Sequence, residues 1–458
     1  MAEPLEIEIR EVRLYEREVR LRLPFRFGVV TLRHCPQAFA RVRVATADGR
    51  EGWGVAAEML APKWFDKNPG LSEEDNHDQL RHALATAAAL YKDAGRCTPF
   101  ALWRDSYDEQ VRRCAACGDG TLVAHFGPAM LDRAVLDAAC RLRGVSIFEA
   151  MRANLPGIAW PGLDVEPFLA GITAPQSLHA RHTVGLVDPI REAAERVDDG
   201  LPETLAEVIA AYGQRYFKVK VSGDPEADVA RLIEIAGVLD GIDGDYALTL
   251  DGNEQFAEPA AVHHLLDRLE AEPRLARFMR STLFIEQPLS RTVALDADIS
   301  ALSARYPVIV DESDDDIETW PRARALGYRS ISAKSCKGLY KALINAARCR
   351  AWGDGFMSAE DLTTQAGVAV QQDLALAAMV GASHVERNGH HYVDGMAGLP
   401  AGEQQAFLAA HPDLYRDDGG TVRLAIRDGR IAVRSLACPG FATAAEPDFA
   451  AMKELPDG

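Results

Sequence analysis

From about residue 180 the chain repeats one pattern: a short apolar, β-branched run, then a longer stretch with apolar positions at threes and fours. Eight runs read as strands: "HTVGLVD" (182–188), "RYFKVKVSG" (215–223), "YALTLDGN" (246–253), "TLFIEQPL" (282–289), "YPVIVDES" (306–313), "YRSISAKSC" (328–336), "DGFMSAED" (354–361) and "ASHVERNG" (382–389). Helical stretches such as 225–239 and 340–353 separate them. This alternation predicts an α/β chain built on a (β/α)8 TIM-type barrel, whose reactive groups sit at the carboxyl ends of the strands.

The flanks read differently. The first sixty residues alternate as antiparallel strands, with Asp48-Gly49 as a turn, and helical patterns follow to about residue 150. This predicts an α+β capping domain over 1–150, the barrel over 151–395, and a C-terminal segment over 396–458 that packs back on the cap. At 458 residues the chain exceeds what one core serves, and 48% hydrophobic residues can fill two domains. A formal net charge of −18 opposes binding to nucleic acid or an anionic membrane. No apolar run is long enough to span a bilayer and the start has no signal-peptide core, so a cytoplasmic protein is expected. Cys114 and Cys117, the close pair in "CAAC", lack a second CxxC or a His at zinc-finger spacing and read as packing residues on one helical face.

The strand ends carry the charge. The third strand ends in Asp251 and Asn253, the fourth in Glu286 and the fifth in Asp311 and Glu312, while the sixth carries Lys334. Strand parity sets their apolar neighbours on the opposite face, so these groups converge on the barrel mouth. Converging carboxylates repel and lose hydration unless a cation joins them, and an all-oxygen set points to Mg2+, with Mn2+ as a substitute. On the second strand Lys218 and Lys220 share one face. A second ammonium and a dication nearby both disfavour the charged form of Lys220, which could then take a proton with Lys218 as its electrostatic neighbour.

At these residues the chain resembles the enolase superfamily, in the mandelate racemase/muconate lactonizing enzyme group, on the branch with muconate cycloisomerase and dipeptide epimerases. "LPFRFG", "DGREGWG", "FKVKVSG", "LDGNEQF", "FIEQPL", "VIVDES" and "AKSCKGLYKAL" occur in the family's order. The resemblance implies Asp251, Glu286 and Asp311 as metal ligands, Lys220 and Lys334 as opposed catalytic lysines, Lys218 as a partner, and Asn253 and Glu312 as supports. It also implies that the loop with Phe25, Arg26 and Phe27 closes over the barrel, with Arg26 and Phe27 as candidate substrate contacts. Glu360, Asp361 and Glu386, at the seventh and eighth strand ends, are further candidates for substrate contact or helix capping. The implied chemistry is Mg-dependent proton abstraction next to a carboxylate, leading to epimerisation, cycloisomerisation or elimination of a small carboxylic acid by a homo-oligomer.

The sequence departs from that family at three places, one of them "PGFA" at Pro439 to Ala442 where the family has "PGLG". Lys337 replaces a glycine after Lys334 and is expected to add positive charge near the mouth, and 60–79 is apparent extra material. A Schiff-base aldolase and a non-catalytic metal- or carboxylate-binding relative remain as alternatives; the first leaves the three carboxylates unexplained.

Overall fold

The computed structural model describes residues 4–27 and 30–456. In the front part, β1 (Ile7–Phe27), β2 (Val30–Thr46) and β3 (Glu51–Met59) form an antiparallel sheet. Alternation buries Ile7 and Ile9, then Val12 and Leu14. The change of parity is a register shift between Ile9 and Glu11, as a bulge requires. Helices α1 (Glu73–Asp93), α2 (Pro99–Ala116), α3 (Thr121–Ala124) and α4 (Phe126–Arg143) cover this sheet. Ser72 and Asp75 close a capping box at the start of α1, satisfying amides that the first turn leaves unpaired. Gly54 lets α4 lie directly on β3, since a Cβ there would meet Ala134 O at 2.1 Å.

The repeating part folds as the alternation predicts. Strands β4 (Ser177–Val184), β5 (Tyr216–Lys220), β6 (Ala247–Asp251), β7 (Thr282–Glu286), β8 (Val308–Val310), β9 (Ser330–Ala333), β10 (Phe356–Ala359) and β11 (His384–Arg387) follow one another with helices between. Neighbours from β4 to β10 pair in parallel, and β11 pairs with β4 to bring the ring round. The strands are shorter than the sequence runs because the chain turns out of the sheet at the polar residues that end each run. The first lies upstream of 182–188, at 177–184. Phe217, Val219 and Val221 pack outward with Leu232 and Ile235 of helix Pro225–Leu239, which leaves Lys218 and Lys220 to the interior.

The C-terminal segment divides its contacts. Strands β12 (Tyr415–Asp418) and β13 (Thr421–Leu424) pair with each other. A hairpin forms from β14 (Ile426–Arg427) and β15 (Arg430–Ala432), turning through Asp428 and Gly429 at positive φ. It does not join the cap: β15 pairs with β4 at Ser177–His179, because β5 first meets β4 at Arg181 and leaves that edge open. Strand β16 (Lys453–Glu454) does pair with β1 of the cap sheet. Front part and barrel share one apolar cluster, in which Phe100, Trp103 and Leu136 meet Leu339 and Tyr340. Among the described residues no helix is long and apolar enough to cross a membrane.

Candidate active site

The register of β5, β6 and β7 sets Lys220, Asp251 and Glu286 side by side at the ends of adjacent strands. Lys220 Nζ donates to Asp251 Oδ2 at 2.6 Å. One layer deeper, Lys218 Nζ donates to Glu286 Oε1 at 2.7 Å and Glu386 Oε2 at 2.9 Å, pairs with Asp251 Oδ2 at 2.9 Å, and also donates to Glu360. Burial disfavours this ammonium, but the surrounding carboxylates outweigh it and hold Lys218 well above the usual lysine range. On the other side of the ring, Lys334 Nζ donates to Asp311 Oδ2 at 2.5 Å, and it too is raised against burial by Asp311 and Glu360.

Oxygens of Glu286, Asp311 and Glu360 come within 4.8 Å of one another, all from buried side chains. Asp251 stands beside this group, drawn to Lys218 and Lys220. Burial opposes ionisation of Asp251 and Asp311, yet their lysine partners prevail and lower both. Glu360 is lowered in the same way by Lys218 and by Arg181, whose Nη2 donates to Glu360 Oε1 at 2.7 Å. Burial, and then the nearby carboxylates, raise Glu286 and Glu312. Glu286 Oε2 and Glu312 Oε2 are buried without a hydrogen-bond partner. Carboxylate oxygens in excess, two of them orphaned and no thiol or imidazole in the cluster, fit a hard divalent cation such as Mg2+.

The backbone around the mouth is held in unusual conformations. Asn253, Glu254, Gln287 and Thr363, none of them glycine, have positive φ, a strain that costs on the order of 1–3 kcal/mol per residue and gathers at functional sites. Local hydrogen bonds offset it. Asn253 N donates to Asp251 Oδ1 at 2.8 Å and its amide to Glu312 Oε1 at 3.1 Å, while Gln287 Oε1 accepts from Asp311 N at 2.9 Å and Ser313 N at 3.2 Å.

The cap supplies the roof. Phe25, Leu32, Ala61 and Trp64 line a pocket together with Lys218, Lys220, Asn253, Lys334, Asp361, Leu362, Thr363, Glu386 and Asn388. The extra segment 60–79 therefore reaches the mouth through Trp64. Arg291 clamps it there, donating to Trp64 O at 3.0 Å, to Phe65 O at 2.9 Å and to both oxygens of Glu254. Arg26 is exposed and absent from the pocket lining, and the side chain of Phe27 lies outside the described residues.

Glu360 and Glu386 lie in the charged cluster, while Asp361 is turned into a buried network with Arg387, the amide of Asn388 at 3.1 Å and that of Gly389 at 3.3 Å. Lys337, expected to add positive charge near the mouth, is buried beside it, donating to Ser332 Oγ at 3.0 Å and pairing with Asp311 at 3.3 Å and Asp314 at 3.2 Å. Sequence reading missed Trp64, Arg181, Thr183 and Arg291. Arg181 was masked by placing the first strand too late, and Thr183, inside the run at 182–188, carries no charge to mark it; both project inward from β4, and Thr183 Oγ1 donates to Glu386 Oε1 at 2.6 Å.

Residues 200–448, more than half of the chain, match the family described as enolase C-terminal domain-like. The chain belongs to the enolase superfamily. Among superfamily relatives, a hydrophobic dipeptide epimerase from Citrifermentans bemidjiense is 25% identical over 335 residues, covering 72% of this chain and 74% of its own. The fold is shared with a dipeptide epimerase from Cytophaga hutchinsonii, solved with Mg and D-Ala-L-Val, at a TM-score of 0.61 and 16% identity over 98% of this chain and 99% of that one. It is shared equally with a muconate lactonizing enzyme from Pseudomonas fluorescens, solved with muconolactone, at 0.60 and 17% identity over 96% and 97%. This enolase-superfamily chain is an isomerase or lyase with the cap-and-barrel architecture.

Proposed function

We propose that the protein epimerises a small carboxylic acid of dipeptide type at the carbon next to a carbonyl group, using Lys220 and Lys334 as the two bases. The observation that carries this reading is their placement: they line one pocket from strands four places apart in the ring of β4 to β11, so a substrate between them is approached from two sides. One lysine would remove the α-proton and the other return a proton to the opposite face. Asp251, Glu286 and Asp311, with Glu360 alongside, would hold Mg2+, or Mn2+ in its place. When bound, the cation would compete with the lysines for carboxylate oxygens and stabilise negative charge developing on the substrate.

Lys218 stays an ammonium within its carboxylate cage, adding positive charge near the reacting carbon and holding Glu286, Glu360 and Glu386 in place. The roof of Phe25, Leu32, Trp64 and Leu362 supports a hydrophobic side chain on the substrate and excludes water from the reacting centre. Similarity to a hydrophobic dipeptide epimerase agrees with that choice. A Schiff-base aldolase would leave the converging carboxylates of Glu286, Asp311 and Glu360 without a role.

The test is α-proton exchange in deuterium oxide with a panel of dipeptides carrying small or hydrophobic second residues, with Mg2+ present and after chelation. Exchange accompanied by inversion, lost on chelation and restored by Mg2+, is expected. Exchange without inversion would overturn epimerisation, and full activity after chelation would overturn the metal-dependent reading.

A further inference from the structure

The front part of the chain gathers a second set of metal-capable side chains that the proposed reaction does not use. His82 lies on α1, Cys114 in the last turn of α2, and Asp119 in the connection between α2 and α3. One ligand atom from each comes within 4.8 Å of the other two. His82 Nδ1 lies 2.7 Å from Asp119 Oδ2. Cys114 is completely buried and Asp119 nearly so, while the His82 side chain remains 38% exposed. The cluster is thus dry on the sulfur side and open to solvent on the imidazole side.

Outer groups orient it. Gln110, itself buried, donates its amide to Cys114 Sγ at 3.5 Å and to the carbonyls of Ala83 and Ala124 at 2.9 Å each. Those carbonyls lie on α1 and α3, so one amide ties together the elements that bear or flank the cluster. Thr86 Oγ1 lies 3.3 Å from His82 Nε2, and Asp119 N donates to Cys114 O at 3.1 Å, setting the loop beside the sulfur. An N–H donor on the sulfur and fixed partners on the imidazole are the kind of support that metal ligands receive.

We propose that His82, Cys114 and Asp119 form a second metal site in the cap, taking a zinc-class divalent ion with a fourth position open to solvent. One thiolate, one carboxylate and one neutral imidazole balance a dication, which removes the cost of a buried net charge. The mixed S, N and O set suits Zn2+ in four-coordinate geometry and discriminates against Mg2+ and Ca2+, which take oxygen. A reactive-thiol role does not fit the same geometry: Cys114 is completely buried, whereas reactive cysteines are accessible. Cys117, three residues on, is exposed at the C-cap of α2 and does not share the buried face, contrary to the sequence expectation. The site would clip α1 to the end of α2, beside the hydrogen bond from Gln110 to the Ala83 carbonyl.

The experiment is a Co2+ titration of the metal-stripped full-length protein, read by absorption. Thiolate-to-cobalt charge transfer with tetrahedral ligand-field bands is expected to saturate at a single equivalent, and Zn2+ should displace it. Cys114→Ser should abolish the charge-transfer band, His82→Gln should weaken binding at least tenfold, and Cys117→Ser should leave both unchanged. Glu286→Gln in the barrel should also leave the band intact, which separates this site from the catalytic one. Zn2+ should raise the melting temperature of the wild type and not of Cys114→Ser. Absence of a sulfur band at millimolar Co2+, or a band that persists in Cys114→Ser, would overturn the proposal.

Discussion

Lys334 Nζ lies 4.5 Å from the ring centroid of Trp64, so the lysine after β9 is covered by an indole from the extra segment of the cap. The contact sets an ammonium against an aromatic face in a buried site, where a cation–π interaction contributes up to about 2 kcal/mol. It also makes the roof of the pocket depend on where segment 60–79 is anchored.

Replacing Trp64 by Leu keeps an apolar cover but removes the π face. A fall in kcat/KM of about two- to thirtyfold is expected, the range corresponding to that interaction, with Mg2+ affinity nearly unchanged. Arg291→Met, which frees the carbonyls of Trp64 and Phe65, should raise KM more than it lowers kcat. Steady-state kinetics with calorimetric Mg2+ binding checks both. Wild-type constants in the two variants would show that this segment does not touch substrate.

The strand-end groups were legible because a parallel strand has fixed parity and ends where its polar residues begin: Leu248 and Leu250 outward place Asp251 at the mouth without any knowledge of its neighbours. Trp64 was not legible, since its partner lies on the far side of the chain and no local pattern links them. Lys337 was legible as a charge near the mouth, but its partners were not, since only the fold brings Asp311, Asp314 and Ser332 round its ammonium. The hairpin 426–432 was readable as a hairpin from Asp428-Gly429, but its docking on β4 follows from an edge exposed by the offset of β5.

Arg133 illustrates how the cap is fixed to the barrel. Completely buried on α4, it donates to Glu58 Oε2 at 3.1 Å and to Gln372 Oε1 at 3.2 Å, so β3, α4 and helix Val368–Met379 meet at one guanidinium. Arg133→Met leaves Glu58 buried and unpaired, and a loss of about 3–5 kcal/mol is expected. Arg133→Met combined with Glu58→Gln should recover a large part of it. Chemical denaturation of the three proteins checks this; equal losses in the single and double variants would show that packing, not the stranded charge, sets the cost.

The buried histidines should cost stability on mild acidification. Burial holds His125, His384 and His390 down to about 3 and His411 to about 4, against about 6.5 in the unfolded chain. Between those values the unfolded state binds more protons, so the stability present above about pH 6.5 is lost as pH falls, at up to about 1.4 kcal/mol per pH unit for each group. Carboxyls raised by burial, among them Glu58 at about 8, Asp361 at about 6, and Glu286 and Glu312, act in the opposite sense above their unfolded values of about 4, so the histidine contribution is read from a variant and not from the wild-type slope. His125→Phe should flatten the slope between pH 4 and 6 by one such group. A slope in His125→Phe equal to that of the wild type would contradict this reading.

The two lysines give the sharpest division of outcomes. Lys220 is tied to Asp251 at 2.6 Å and Lys334 to Asp311 at 2.5 Å, each on its own side of the pocket, and a base reaches only the face it lies against. In deuterium oxide, Lys220→Ala is expected to abolish exchange for one configuration of the substrate and Lys334→Ala for the other, while each retains exchange on the remaining face. Lys218→Ala should instead disturb both, because its carboxylate partners Glu286, Glu360 and Glu386 lose their shared cation. If Lys220→Ala alone abolishes exchange for both configurations, Lys334 acts as an electrostatic stabiliser, and cycloisomerisation or elimination replaces epimerisation as the reaction of this site. If exchange at both faces survives both substitutions, neither lysine is the base.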